Sequence, residues 1–262
     1  MEEHAEDVEI LILGSSHALD GINPEYIVFP SFNLANLGQT IKFDHFLFFK
    51  WADRCKKLKM VILPISYFSF FFDDIENYRE VYYSIYMDYP TSYPTLEMLY
   101  YQPVKGKIKR SRNGNNIECS KNGWACRALT DKDTLLWNKD YVTKSLVHKQ
   151  TAETWENIDS NYHRVCEMLT YCYKRNIRVV LVAPPHTLGY NRFLSKEQLA
   201  KTDSIISNLE RLYDVEYLDY REDSRFYDDD FIDQSHLSEV GAEKFTKLLM
   251  QDLQVNNNQL EN

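Results

Sequence analysis

Zinc-ligand spacing is missing from this sequence. Its five cysteines, Cys55, Cys119, Cys126, Cys166 and Cys172, include no C-x-x-C pair, so neither a zinc ribbon nor a thioredoxin-like redox motif is indicated. Their number is odd. Cys119 and Cys126 are near enough in sequence to close a short loop in an oxidising compartment, and Cys166 and Cys172 fall in a helical pattern that reads as core. Glycine signatures for phosphate are also absent. The stretch GSSHALDG at 14–21 is neither G-x-G-x-x-G nor G-x-x-x-x-G-K-[ST], which leaves nucleotide and dinucleotide roles unsupported. Asp228, Asp229, Asp230, Asp233 and His236 crowd one stretch without the ordered spacing and glycine of a calcium loop, so neither a metal nor another cofactor is expected. No secretory leader or membrane span is visible in the sequence, and it shows no internal repeat or long low-complexity run.

Positive charge is in short supply as well. Lys and Arg number 30 against 39 Asp and Glu, a formal net charge of −9. An acidic surface repels phosphate backbones, so nucleic acid is not an expected partner. The basic stretch Lys105, Lys107, Lys109, Arg110 and Arg112 is the local exception, and it reads as a solvated loop.

What the chain does have is length and apolar content: 262 residues, 44% hydrophobic. That suits one α/β domain able to bury a core without disulfides or metal. VEILIL at 8–13 reads as a buried strand, FNLAN at 32–36 as a shorter one and MVILPIS at 60–66 as a third, whose Pro64 points to an irregular end or a place near an edge. IRVVLVA at 177–183 and VEYLDY at 215–220 complete five strands. Helices are expected over 40–57, 157–175, 195–212 and from about Ser238 to Leu253. Alternating strands and helices imply a three-layer α/β/α domain over 1–262, with a mostly parallel five-stranded sheet of flavodoxin-like type. Residues 67–150 break the alternation and read as an irregular, aromatic-rich insertion with short helices. Nine of the nineteen tyrosines lie between Tyr67 and Tyr101.

Ligands of such sheets gather at the carboxyl ends of the strands. That rim would carry Gly14–His17, Asn36–Gln39, Ser66–Tyr67, Pro185–His186 and the loop from Asp228 to His236. Asp233 and His236 are three apart just before a helix, a spacing that lets the carboxylate hydrogen-bond its own segment's imidazole. On its own this is also what a helix cap with a surface histidine looks like. Ser16, at the end of the first strand, supplies a hydroxyl that such an imidazole could activate. The G-x-S-x-G elbow of α/β-hydrolases is not present.

Taken together, Gly14-Ser15-Ser16 after the first strand and Asp233-Gln234-Ser235-His236 before the last helix resemble the SGNH, or GDSL, hydrolase superfamily. The resemblance implies that Ser16 is the nucleophile, His236 the base and Asp233 its orienting carboxylate. Ser15 stands where that family usually has Asp. Asn36-Leu37-Gly38 matches its second block, which implies an oxyanion hole from the backbone N–H groups of Ser16 and Gly38. Its Gly-x-Asn-Asp block has no counterpart, since this chain reads LPISYFSF there; Ser66, Asn36 and Gln39 are the candidate substitute donors. LILGSSHALDGINPEYI, FNLANLGQT and VILPISYFSF are similar to a bacterial subgroup found with cell-surface polysaccharide genes, some of whose members are O-acyltransferases or esterases. Those relatives often carry a hydrophobic helix just upstream, which implies an extracytoplasmic domain on a membrane anchor preceding this chain; a cytoplasmic setting is the alternative.

The expected activity is therefore acyl-ester chemistry, O-acetyl esterase or O-acetyltransferase, on a carbohydrate or acylated glycan. His17, Asn36, Gln39, Tyr67 and His186 are the candidate substrate contacts. The rival is a weak or inactive polysaccharide-binding or scaffolding protein on the same fold. A flavodoxin-like signalling domain is a third reading, without the acidic cluster expected after strand one. Nothing in the sequence sets the oligomeric state.

Overall fold

The structure, a computed structural model, describes residues 1–73, 78–91, 120–125 and 155–254, leaving aside the side chains of 78 and 79. Five strands, β1 (Ile10–Ile12), β2 (Ser31–Asn33), β3 (Met60–Pro64), β4 (Arg178–Ala183) and β5 (Glu216–Asp219), form one sheet in the order β2-β1-β3-β4-β5. Every pairing is parallel, with Leu11 opposite both Phe32 and Val61, and Leu63 opposite Leu181.

Helices cover both faces, which is why the central strands are apolar at consecutive positions rather than alternate ones. Successive side chains of a strand point to opposite faces. Leu11, Leu13, Val61, Leu63, Val179 and Leu181 therefore pack with Phe48 and Trp51 of α2 (Ile41–Trp51), Val165 and Leu169 of α4 (Ile158–Lys174), and Ile205 and Leu209 of α6 (Lys196–Tyr213). Their neighbours Ile10, Ile12, Met60, Ile62, Val180 and Val182 pack with Ala18 and Leu19 of α1 (Ser16–Gly21) and Phe245 and Leu249 of α7 (Glu239–Asp252). The two remaining helices are α3 (Tyr78–Met87) and the single turn α5 (Leu188–Asn191). The three-layer α/β/α architecture expected from the sequence is the one observed. No helix among the described residues is long and apolar enough to cross a membrane.

Of the two readings of Pro64, an irregular end or a place near an edge, the edge is overturned. Pro64 does not mark an edge, because β3 is the central strand. The Met60 N–H donates to Glu9 O on the β1 side. Alternate N–H groups face the same neighbour, so the donor missing at Pro64 would also face β1. There β1 has already turned away at Gly14, and the proline ring fills the gap: a Cβ at Gly14 would stand 3.3 Å from Pro64 Cδ. The strand thus tolerates proline at its last position without losing a ladder bond.

The predicted insertion is described only in part. It includes α3, pinned to α2 by a Lys42–Glu80 ion pair of 3.0 Å and by the stacking of Tyr83 on Phe43 at 4.1 Å. It also includes residues 120–125, where Asn122 O accepts the Asn33 N–H at 2.8 Å along the outer edge of β2. Capping that edge removes a row of backbone groups that another chain could pair with. The basic stretch at 105–112, Cys119, Cys126 and the tyrosines at 93, 100 and 101 lie outside the described residues.

Candidate active site

In this strand order the chain leaves β1 toward β2 on one side and reaches β3 on the other, and the crevice at that switch is where ligands of such sheets bind. Ser16 follows β1 there. Gly14 has φ +115°, a conformation that side chains disfavour, and a Cβ on it would approach Ala18 Cβ at 3.1 Å. Glycine is thus required both for the turn and for the close seating of α1. Ser15 caps α1 in extended conformation and Ser16 is its first residue.

The Ser16 hydroxyl lies 2.8 Å from His236 Nε2, although the two residues are 220 apart in sequence. His236 Nδ1 lies 2.8 and 3.0 Å from the two carboxylate oxygens of Asp233. The turn that makes this possible is local. Asp233 Oδ1 also accepts the backbone N–H groups of Ser235 and His236, at 3.0 and 3.1 Å, the short-range bonding for which Asp is favoured in turns. The segment is clamped at both ends. The Ile232 N–H donates to His236 O, the Ser238 N–H donates to Asp230 O at 2.8 Å, and the Ser238 hydroxyl caps α7 by accepting from Gly241. A carboxylate against Nδ1 holds the ring proton there, so Nε2 presents its lone pair to the serine hydroxyl. This arrangement can accept the Ser16 proton while the oxygen attacks an electrophile.

The turn after β2 lies beside the Ser16 turn, because the Asn36 N–H donates to Gly14 O at 3.2 Å. Gly38 has φ +61°. Among the described residues, neither the Ser16 N–H nor the Gly38 N–H has a protein acceptor. Both remain available to a bound anion.

The other sequence candidates divide. His17 and His186 meet beneath the rim, 3% and 5% exposed rather than open to a ligand as expected: His17 Nδ1 lies 3.3 Å from His186 Nε2 and 2.7 Å from the Ser66 hydroxyl, and its ring stands 5.0 Å from that of His236. The loop carrying His186 is tied to the Asp233 loop, since Thr187 directs both its N–H and its hydroxyl to Gln234 O, at 3.1 and 3.0 Å. Ser66 is placed differently from expectation, with its N–H donating to Ser69 and its hydroxyl against His17. Asn36 turns its amide oxygen onto the N–H of Leu37. Gln39 is buried behind the rim, bonded to Leu34 O, Asp44 and Tyr83, and so does not face a ligand. Tyr67 is only 2% exposed, packed with Tyr190 and Leu194. Two aromatic rings do reach the histidines: Phe68, edge-on to His17 at 5.6 Å, and the buried Tyr190, tilted against His186 at 4.9 Å.

Asp44 is the residue that the sequence reading missed. It sits in the first turn of α2, within the apolar run IKFDHFLFF, and is buried. Its Oδ1 accepts the Gly14 N–H and the Gln39 amide, each at 2.7 Å. Burial pushes its carboxyl up to about 7, against the pull of those two donors. The signal available in the sequence was a lone charge inside an apolar helical stripe. Among the described residues no cluster of three or more His, Cys, Asp or Glu could hold a metal ion.

No protein-family model matches the sequence, and no curated protein matches it either. Solved structures do. A crystal structure from Bacteroides fragilis NCTC 9343, named provisionally as an acylhydrolase, aligns over 99% of this chain and 95% of its own, at 11% identity and a TM-score of 0.47. A GDSL-like lipase from Bacteroides thetaiotaomicron VPI-5482 aligns over 96% of this chain and 88% of its own, at 9% identity and a TM-score of 0.43.

Proposed function

We propose that this protein is a serine-dependent ester-cleaving enzyme of SGNH type that acts on O-acyl groups of a carbohydrate, as an O-acetyl esterase or O-acetyltransferase. The observation that carries the reading is the continuous chain from Ser16 Oγ through the His236 ring to the Asp233 carboxylate, each contact at 2.8 Å. His236 takes the Ser16 proton as Oγ attacks the ester carbonyl. The carbonyl oxygen gains the negative charge and is met by the N–H groups of Ser16 and Gly38. Collapse expels the alcohol, which leaves with the proton from His236, and the acyl group stays on Ser16. Water or a sugar hydroxyl then gives its proton to His236 and attacks the acyl carbon, freeing Ser16. The half-buried Phe68 is the rim residue offered to the sugar, and His17 and His186, both buried, back it from within. Which acceptor prevails depends on how well a sugar hydroxyl is held against competing water. The subgroup resemblance supports a cell-surface polysaccharide as substrate and an anchored, extracytoplasmic setting.

The test is covalent labelling by a fluorophosphonate, located by peptide mass spectrometry, alongside turnover of p-nitrophenyl acetate. Labelling at Ser16 that is lost in Ser16→Ala and His236→Ala supports the reading. Turnover of Ser16→Ala at the wild-type rate removes it. The engagement of both Ser66 groups with Ser69 and His17 favours, as a second reading, a carbohydrate-binding protein without turnover. That reading predicts no labelling with glycan binding intact.

A further inference from the structure

Two backbone turns from different strands have to stand at a set separation if their N–H groups are to meet one oxygen atom. Ser16 follows Gly14 by two residues, and Gly38 directly precedes Gln39. One side-chain atom joins the two turns from behind, Asp44 Oδ1, which accepts from Gly14 N–H and from Gln39 Nε2 at 2.7 Å each. Its backbone is held in turn, because the Asp44 N–H donates to Thr40 O at 3.0 Å at the start of α2. The Tyr83 hydroxyl of α3 donates to Gln39 Oε1. A buried chain therefore runs from the inserted helix through Gln39 and Asp44 to the Gly14 turn. Asp44 is only 3% exposed and Gln39 likewise 3%. Burying a carboxyl is costly compared with an apolar residue in the same place, and the apolar stripe around Asp44 would accept one. A second link runs through the Asn36 backbone, whose N–H donates to Gly14 O at 3.2 Å and whose O accepts the Gln39 N–H at 3.0 Å; Asp44 is the side-chain link, with two shorter bonds of 2.7 Å.

We infer that Asp44, with Gln39 and Tyr83 behind it, is a positioning residue that fixes the separation of the two turns whose N–H groups receive the ester oxyanion. This rests on the ester-cleaving reading above. Asp44 touches no substrate. It acts through the placement of the Ser16 and Gly38 N–H groups, so its loss lowers kcat and leaves KM nearly alone.

The test compares Asp44→Ala, Asp44→Asn and Gln39→Met in the full chain. Readouts are kcat and KM for p-nitrophenyl acetate and amide hydrogen exchange at Gly14 and Asn36. Losing an oxyanion donor outright costs about 10²–10³-fold; loosening one is expected to lower kcat about 30-fold in Asp44→Ala, with KM within about 2-fold. Asp44→Asn retains the accepting oxygen and is expected to restore kcat to within about 3-fold of wild type. Exchange at Gly14 and Asn36 should quicken about 10-fold in Asp44→Ala and stay near wild type in Asp44→Asn. A folded Asp44→Ala with wild-type kcat overturns the inference, as does equal damage in Asp44→Asn and Asp44→Ala. If Asp44→Ala does not fold, Gln39→Met decides: a kcat reduced about 5-fold or more supports the clasp, and an unchanged kcat overturns it. If the wild-type protein turns over no ester, it is the functional reading that fails. The exchange rates of Gln39→Met then judge the clasp alone, quickening at Asn36 in its favour and constancy against it.

Discussion

Asp44→Asn should make the protein more stable at alkaline pH, and the size of the gain follows from the burial of one carboxyl. In the unfolded chain an aspartate titrates near 3.9; in the fold, burial raises Asp44 to about 7. Between those values the native state holds a proton that the unfolded state has released. Fewer protons on the unfolded side mean that stability falls as pH rises, by about 1.4 kcal/mol per pH unit. The loss is complete once pH passes about 7, where it totals about 4 kcal/mol. Below about 4 both states are protonated and the loss vanishes. Asparagine does not titrate, so its stability relative to wild type should grow by about 3 kcal/mol between pH 5 and pH 8. The side-chain oxygen of the substituted asparagine can still accept the hydrogen bonds that Gly14 and Gln39 give to Asp44. Urea titrations followed by tryptophan fluorescence, at pH 5, 6, 7 and 8, measure the difference directly. Wild type and variant that stay parallel to within about 0.5 kcal/mol across this range would refute the argument, since Asp44 would then ionise as freely in the fold as outside it.

Three further outcomes test other parts of the structure. Asp233→Asn removes the carboxylate that holds the His236 ring in its useful tautomer, and kcat on an activated acetyl ester should fall about 10⁴-fold while the protein stays folded; a loss below about 10-fold speaks against the assignment. Ser66→Ala should lower kcat by less than about 10-fold, because both polar groups of Ser66 are engaged with Ser69 and His17, whereas loss of a true oxyanion donor costs about 10²–10³-fold. Gly241→Ala would place a methyl group 1.9 Å from Asp230 O, so that the segment carrying Asp233 and His236 has to shift. The expected cost is about 1–3 kcal/mol with a Tm lower by about 2–10 °C, and a melting curve superposable on wild type would show that the close approach is absent.

The fold was legible because its core strands are apolar on both faces, as in ILIL at 10–13 and VVLV of β4, the pattern of a sheet covered on both sides. Asp233 and His236 were legible because their meeting is encoded by a turn three residues long. Ser16 was legible through its glycine and its place after β1. Other residues depend on how a chain turns once it leaves a strand. Gln39 and Tyr67 sit one residue past rim positions, and a rotation at Gly38 or Ser66 decides whether they face a ligand or the interior; both face the interior. The contact between His17 and His186 joins loops 169 residues apart and has no local signal. Asp44 stands out only as a charge inside an apolar stripe, a faint signal because a charge in a helix normally marks the solvated side. Its reason for burial, the Gly14 N–H, lies 30 residues away. Pro64 misled for a related cause: a proline is barred from a central strand only where a neighbour needs its N–H, and here the neighbour has already departed.

The two donors that Thr187 gives to the carbonyl of Gln234 weld the loop of β4 to the loop that bears the base. The segment of His186 and the imidazole of His236 are consequently held as one unit. Under the proposed ester chemistry, a substrate that seats against either loop is placed relative to the imidazole by the same act.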